Sequence, residues 1–229
     1  MLWGTIVNAG AVILGGLVGL LLHKGLNERI TKTVMSGLAL IVIYIGISGS
    51  FDGQNILIAV IAMAVGGAIG GAIDLDTRFN RFADKLQTKL TKGKDASESK
   101  LGEAFVTTTL LFCVGAMAIV GSLNSGLRGD HEVLFAKSLI DGISAAMFAA
   151  ALGPGVMLSA VSVFLYQGAI TLLAGLLSPV LTEAAVAEMT CVGSLLIMGL
   201  GLNMLECCNI KVMNYIPAVF LPILLCLFM

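Results

Sequence analysis

A lysine and an aspartate lie four residues apart within an otherwise apolar stretch. Residues 137–146 read KSLIDGISAA, which contains Lys137 and Asp141. Side chains four positions apart share one face of a helix, so these two charges can pair. A desolvated carboxylate can also load and release a proton or a cation. The pattern leaves two interpretations open: an ion pair that only satisfies itself, or an ion site that lines a pathway.

A second segment repeats this one with a serine in place of the aspartate. Residues 32–41 read KTVMSGLALI, so that Ser36 aligns with Asp141. Further along, residues 57–69 (LIAVIAMAVGGAI) share six identities, without a gap, with residues 158–170 (LSAVSVFLYQGAI). Because the matches recur in the same order, they predict an internal duplication.

The composition is that of an integral membrane protein. The chain has 229 residues, of which 58% are hydrophobic and 12% charged, and its mean hydropathy is +1.01. Soluble domains carry about 25% charged residues. The apolar runs are continuous and do not alternate, which favours a helix bundle over a β-barrel. The net charge of −1 provides no basic field for nucleic acid.

Eight apolar segments approach the roughly 20 residues that a membrane-spanning helix needs. They predict an all-α polytopic membrane helix bundle. The turn Gly153-Pro154-Gly155 separates the fifth segment from the sixth, because proline and glycine interrupt helices. The predicted spans are 2–22, 31–48, 55–73, 103–123, 133–152, 155–177, 184–202 and 212–229.

The distribution of basic residues predicts the orientation. Of the 13 lysines and arginines, 11 fall in the loops 23–32, 74–102 and 203–211, which lie on one side if there are eight spans. The positive-inside rule makes that side cytoplasmic and both termini external. The longest loop contains RFNRFADKLQTKL, a basic amphipathic helix that either meets anionic lipid headgroups or serves only as a connector.

The duplication predicts the domain organisation. A first three-span repeat covers 1–74, the basic loop 75–102, a second repeat 103–177, and a two-span appendage 184–229. Each repeat has an odd number of spans, so the second must be inverted relative to the first. Inverted repeats are typical of secondary transporters, whose substrate site lies near the midplane.

Polar residues within the spans supply the candidate site. Inverted pseudosymmetry predicts that Ser36 faces Asp141, and Gln167 stands where the other repeat has Gly66. Glu188 is interpreted as a gate, a second ion site or an interfacial side chain. The predicted substrate-binding or ion-binding residues are Asp141, Ser36, Gln167, Glu188, Asn8, Ser144 and Lys137.

Glycines on neighbouring turns form a separate pattern. Small residues let membrane helices approach closely, so we expect helix packing and a possible homodimer face. A glycine-lined pore or a flexible helix is the alternative. The glycines concerned are Gly15, Gly19, Gly67 and Gly71.

Enzyme signatures are missing from the sequence. It contains no HExxH, no GxSxG and no Walker lysine motif. The two histidines, His23 and His131, fall in loops predicted to lie on opposite sides. We therefore expect no enzyme activity, no cofactor and no metal. The expected partners are a small-molecule or ion substrate and membrane lipid.

Three segments carry a family resemblance: GTIVNAGAVILGGLVGLLL (4–22), KSLIDGISAAMFAAALGPGV (137–156) and GLNMLECCNIKVMNYIPA (201–218). Over essentially its whole length the chain resembles the bacterial YqgA/YdfK-like membrane family of unknown function. The resemblance implies a bacterial inner-membrane protein. A looser similarity to permeases of the LysE and manganese-exporter type implies inverted three-span repeats with intramembrane acids. Of such acids only Asp141 matches, since Ser36 fills the symmetric position.

The sequence therefore predicts a small secondary transporter that couples solute movement to a proton or cation through Asp141, with a channel as its near variant. A non-transporting oligomeric scaffold or sensor is the alternative, and an intramembrane enzyme ranks third. A wet midplane cavity at Asp141 would favour transport. Burial of Asp141 against Lys137 without an access path would favour the scaffold.

Overall fold

The computed structural model describes residues 2–23, 28–79, 81 and 100–228, and within these ranges the chain is helical without strands. An apolar chain in lipid must satisfy its backbone polar groups internally, which an α-helix does. The predicted all-α polytopic bundle is confirmed. The helices are α1 Trp3–His23, α2 Glu28–Ser50, α3 Ile56–Ile73, α4 Lys100–Cys113, α5 Ala116–Arg128, α6 Glu132–Leu152, α7 Gly155–Leu172, α8 Ala174–Leu177, α9 Glu183–Met204 and α10 Ile216–Leu225.

Six helices in the described ranges are long and apolar enough to cross a membrane: α1, α2, α3, α6, α7 and α9. The α4–α5 pair qualifies as a seventh span only when its two helices are taken together. The bundle thus has six spans, or seven with this pair, instead of the predicted eight.

The predicted fourth span, 103–123, is not a single helix, because the chain breaks between α4 and α5. The two helices are bent by 60°. Gly115 lies in the break with φ +119°, a conformation that side chains with a Cβ rarely adopt. An apolar run alone does not reveal this break, since every residue on either side is compatible with a helix.

The predicted eighth span, 212–229, is shorter than expected. A 3-10 turn at Val212–Tyr215 leads into α10, which has ten residues. Pro217 lies in its first turn and Pro222 inside it. The combined helix is below the length that spans a bilayer. The predicted sixth span also ends early, because α7 stops at Leu172 and the four-residue α8 follows.

Glycine faces pack the first three helices onto the rest of the bundle. On α1, Gly15 lies against the backbone of Gly142 and Gly19 against that of Ala146, so α1 and α6 run parallel. The absence of side chains allows this close approach. Helices α2 and α3 pack in the same way, antiparallel to α9 and α10. Their contacts are Gly46 with Met198, Gly49 with Ser194, Gly66 with Ala218, and Gly70 with Asn214.

Three of the four predicted packing glycines lie in these interfaces. Besides Gly15 and Gly19, Gly67 lies against the ring of Tyr215. Gly71 does not, because a Cβ there would meet nothing within 4 Å. Successive helical residues are turned by about 100° from one another, so Gly70 faces the 3-10 turn before α10 and Gly71 points away.

Helix α9 forms the centre of the bundle. Of its spanning residues 78% are buried, against 22% for α2. Helix α4 runs antiparallel to it, since Val114, after the end of α4, lies against Gly193 midway along α9, and Glu103 near the start of α4 shares a pocket with Asn203 near the end of α9. We name the two ends of the bundle the Asp52 end and the Asn203 end. Between them, α4 and α9 form a seam.

The predicted basic amphipathic helix lies mostly outside the described residues. Only its start is described, where Phe79 stacks on Phe105 with ring centroids 5.3 Å apart. The division into two inverted repeats and an appendage stays a prediction.

Candidate functional site

Asp141 is the centre of a buried polar cluster. It is 3% exposed. Its Oδ1 accepts a hydrogen bond from Lys137 Nζ at 2.9 Å, and its Oδ2 accepts one from Asn8 Nδ2 at 3.0 Å. The first contact follows from helical spacing within α6. The second depends on the glycine contacts that bring α1 close to α6. Both carboxylate oxygens are thus engaged.

Gln167 joins the cluster from α7. The Asn8 Nδ2 group also donates to Gln167 Oε1 at 3.3 Å. The two amides leave Asn8 Oδ1 and Gln167 Nε2 without hydrogen-bond partners among the described residues. The buried hydroxyls of Thr5 and Thr171, one turn from Asn8 and Gln167, are likewise unpartnered. We call Asn8, Lys137, Asp141 and Gln167 the Asp141 cluster.

Each unpartnered buried polar atom lowers the free energy of unfolding by about 1–3 kcal/mol. Four such atoms around one cluster are unusual in a folded protein and indicate a role other than stability. Neither Thr5 nor Thr171 was predicted as a site residue. The available signal was their spacing of three or four residues from Asn8 and Gln167, which places each on its partner's helix face.

Lys137 connects this cluster to a cavity. It is 6% exposed and lines a cavity of about 350 Å³ between α2, the α4–α5 break, α6 and α9. Exposed Asp52 marks the mouth, and buried Ile197 lies at the inner end. We call this space the Lys137 cavity. It reaches the Asp52 end of the bundle, and exposed Tyr44 and Ser48 also line it along the side of α2.

The helix break forms one wall of the Lys137 cavity. Gly115, Ala116, Met117 and Ala118 all line it. Gly115 is the N-cap of α5 and provides no side-chain hydrogen bond to the first helical amides. The start of a helix carries unsatisfied amide groups and a partial positive charge. Two positive features, the start of α5 and Lys137, therefore share one cavity.

A second space opens at the Asn203 end. Two adjoining pockets of about 400 Å³ each share Glu103, Leu200 and Asn203 in their walls. One of them reaches Thr107, which is fully buried and has an unpartnered hydroxyl. We call this space the Glu103 cavity.

Both cavities follow the seam between α4 and α9. The Lys137 cavity ends at Leu111 and Ile197, and the Glu103 cavity ends at Thr107 and Leu200. On each helix these residues are about one turn apart, which is about 5.4 Å along the axis. About one helical turn therefore separates two spaces that extend towards opposite ends of the bundle.

Glu188 anchors the loop before α3. It is 2% exposed, and its Oε1 accepts hydrogen bonds from the backbone amides of Gln54 and Asn55, each at 2.7 Å. Its Oε2 has no partner within the described part of the chain, and the residue lines a pocket of about 340 Å³ together with Cys191. The interpretation as an interfacial side chain is therefore wrong, because the carboxylate is inside the bundle.

The structure does not bring Ser36 to Asp141. Ser36 is exposed, and its hydroxyl donates to Lys32 O in the same helix at 3.1 Å. The predicted juxtaposition fails because the face of α6 that carries Asp141 packs onto α1. Ser144 is half-buried on α6 and takes no part in the hydrogen bonds described for the cluster. Within the described ranges, no group of three or more His, Cys, Asp or Glu residues could hold a metal ion.

The helices and their intramembrane polar cluster define a polytopic α-helical membrane protein. The family model described as "Protein of unknown function (DUF554)" matches residues 3–227, so the chain belongs to that family. It is 34% identical over 226 residues to "Uncharacterized protein YqgA" of Escherichia coli (strain K12), and 29% identical over 225 residues to "Uncharacterized membrane protein YdfK" of Bacillus subtilis (strain 168). Each alignment covers 96% of this chain and 94% of the relative. The YqgA/YdfK-like resemblance is thereby confirmed. No solved structure matches the chain.

Proposed function

We propose that the protein is a small secondary transporter that moves a small polar or ionic solute across the bacterial inner membrane. One observation carries the proposal: the Lys137 cavity and the Glu103 cavity approach each other along the same seam from opposite ends. Alternating access needs a path that can open to either side around a central site. Here the closed part of that path is about one helical turn long.

The geometry also supports coupling through Asp141. Lys137 donates a hydrogen bond to Asp141 and also lines the cavity. A proton on Asp141 or a solute in the cavity would therefore each change the contacts that the ammonium group makes. Protonation of Asp141 would weaken its hold on Lys137 and release the ammonium group towards the cavity. The other group facing the carboxylate is Asn8, and the thiol of Cys113 lies within electrostatic range of both charges.

The orientation belongs to the same proposal. The three basic segments of the sequence, 23–32, 74–102 and 203–211, connect helices whose described ends meet at the Asn203 end, and the positive-inside rule favours that end as the cytoplasmic one. The Lys137 cavity then opens outward and the Glu103 cavity inward. Both termini lie outside if α10 reaches the outer face.

A non-transporting oligomeric scaffold or sensor is the second candidate, and one observation favours it. Asp141 is buried against Lys137, which is the geometry expected of a structural ion pair. The exposed apolar faces of α1, α2 and α3 would then meet a second copy as well as lipid. The cavity beside Lys137 is what makes us prefer transport.

Proteoliposomes loaded with a pH-sensitive dye test the proposal. Organic acids, amino acids, polyamines and metal ions are added outside, and the internal pH is followed. Wild-type protein should give solute-dependent proton movement with at least one class of solute. The Asp141→Asn variant, reconstituted to the same density, should lose that coupling, whereas Ser144→Ala should retain it. If no class moves protons or accumulates as a radiolabelled solute, the scaffold becomes the better account.

A further inference from the structure

We infer that the Lys137 cavity binds a small monovalent anion, such as a short monocarboxylate. This inference rests on the proposed function and names the substrate class of the same site. Three groups from three different helices meet in the cavity, and each suits a negatively charged oxygen: Lys137 of α6, the first turn of α5 and Ser194 of α9.

The ammonium group of Lys137 has unused donor capacity. A lysine ammonium has three N–H donors, and one of them bonds to Asp141 at 2.9 Å. The side chain is 8% exposed, so water screens its charge poorly. An anion in the cavity would engage a second donor. Because Asp141 already balances one charge, such an anion would bind most readily when Asp141 carries a proton.

The first turn of α5 adds a fixed positive dipole. This helix has 13 residues, and Gly115 before it offers no side-chain cap. Anions bind at helix N-termini because backbone N–H groups point towards them and the dipole favours negative charge. Broken helices serve this purpose in transporters that bind anionic substrates. The positive φ of Gly115 holds the break in place.

Ser194 is the independent observation that points to a ligand. It is 3% exposed and lines the cavity, and its hydroxyl forms no hydrogen bond to any described residue. It lies against Gly49, which has no side chain to cover it. A hydroxyl buried beside a lysine and a helix start is well placed to donate a hydrogen bond to an anionic oxygen.

The remaining charge in the cavity wall limits the charge of the ligand. Asp52 is the one acidic residue among those lining the cavity, and it lies exposed at the mouth. A second negative charge on the ligand would approach this carboxylate and be repelled. The cavity of about 350 Å³ is at the small end of ligand pockets. Both features favour a short monoanion over a dicarboxylate.

Met117 offers a test that does not disturb the ion pair. Lys137→Met would strand Asp141 and could prevent folding. Met117 lies in the first turn of α5, lines the cavity and is 41% exposed. A glutamate at the start of a helix suits the dipole, so Met117→Glu should fold while placing a competing negative charge in the site. Met117→Gln is the neutral control of the same shape.

Thermal unfolding of purified protein is measured in sodium sulfate at constant ionic strength. The anions tested are acetate, lactate and succinate. Choline and putrescine, added as their sulfate salts, test for binding of cations instead. Acetate or lactate should raise the Tm saturably, more than succinate does. Met117→Glu should weaken that binding at least about tenfold by charge repulsion, Met117→Gln should retain it, and Ser194→Ala should weaken it severalfold.

Two outcomes overturn the inference. One is a saturable shift with choline or putrescine that Met117→Glu strengthens. The other is that neither acetate nor lactate produces a saturable rise in Tm that is lost in Met117→Glu. In either case, proton flux driven by a cation or a neutral solute in the proteoliposome assay would still support the proposed transport function. Absence of flux with every class would overturn transport itself.

Discussion

Removing either member of the Lys137–Asp141 pair is expected to destabilise the protein, but by unequal amounts. Lys137→Met leaves a carboxylate that is 3% exposed and holds only the Asn8 amide. Stranding one charge of a buried pair costs about 3–5 kcal/mol. Asp141→Asn instead leaves Lys137, whose ammonium group can be hydrated from a cavity of about 350 Å³. We expect about 1–3 kcal/mol for that change, the cost of a lost hydrogen bond.

The double variant Lys137→Met/Asp141→Leu removes both charges together. Its cost should fall below the sum of the single changes by about 1–3 kcal/mol, because neither charge is left unpaired. The free energy of unfolding is measured by titration with a denaturing detergent in mixed micelles, followed by circular dichroism. Ser144→Ala, on the same helix and half-buried, is the matched control and should be close to neutral.

Two results would refute this reasoning. If Asp141→Asn costs as much as Lys137→Met or more, the cavity does not hydrate the ammonium group. If the losses of unfolding free energy in the two single variants add up to the loss in the double variant, the two side chains do not stabilise each other. The 2.9 Å contact between them then contributes nothing to stability.

Three further predictions use the same unfolding assay. Gly15→Ala should cost about 1–3 kcal/mol by overpacking against α6, whereas Gly71→Ala, which meets open space, should be neutral or stabilising by about 0.5–1 kcal/mol; equal effects would contradict the packing described. Glu188→Gln should cost about 1.5–3 kcal/mol by weakening the bonds to two loop amides and should speed proteolysis at 51–55, so unchanged cleavage would count against this anchor. Gly115→Ala should cost about 1–3 kcal/mol through backbone strain and should also reduce anion binding. Unchanged anion binding would show that Gly115 has only a structural role.

The positions of most helices were predictable because they depend on local composition. An apolar run of about 20 residues specifies a span wherever it occurs, and α3 and α9 begin and end within two residues of their predicted limits. The Lys137–Asp141 contact was predictable for the same reason, since helical spacing alone produces it.

What the sequence did not reveal depends on tertiary packing. The break before α5 rests on one dihedral angle, that of Gly115. Ser36 was placed beside Asp141 by symmetry, but the glycine face of α1 occupies that side of α6. Asn8 and Gln167 were predicted as separate candidates, and only the packing of α1 and α7 brings them together. The two cavities lie between helices that are distant in sequence, so no local pattern indicates them.

The central claim is that the α4–α9 seam forms a path that can open at both ends, and Ile197 tests it most directly. This residue is 2% exposed and lies at the barrier. The five native cysteines are first replaced in a variant that still folds. Ile197→Cys is then introduced, and a membrane-impermeant maleimide is added to one or the other side of oriented vesicles. The account predicts slow labelling from both sides, with a change in rate when a transported solute is added. Labelling from one side only, or from neither, would contradict it.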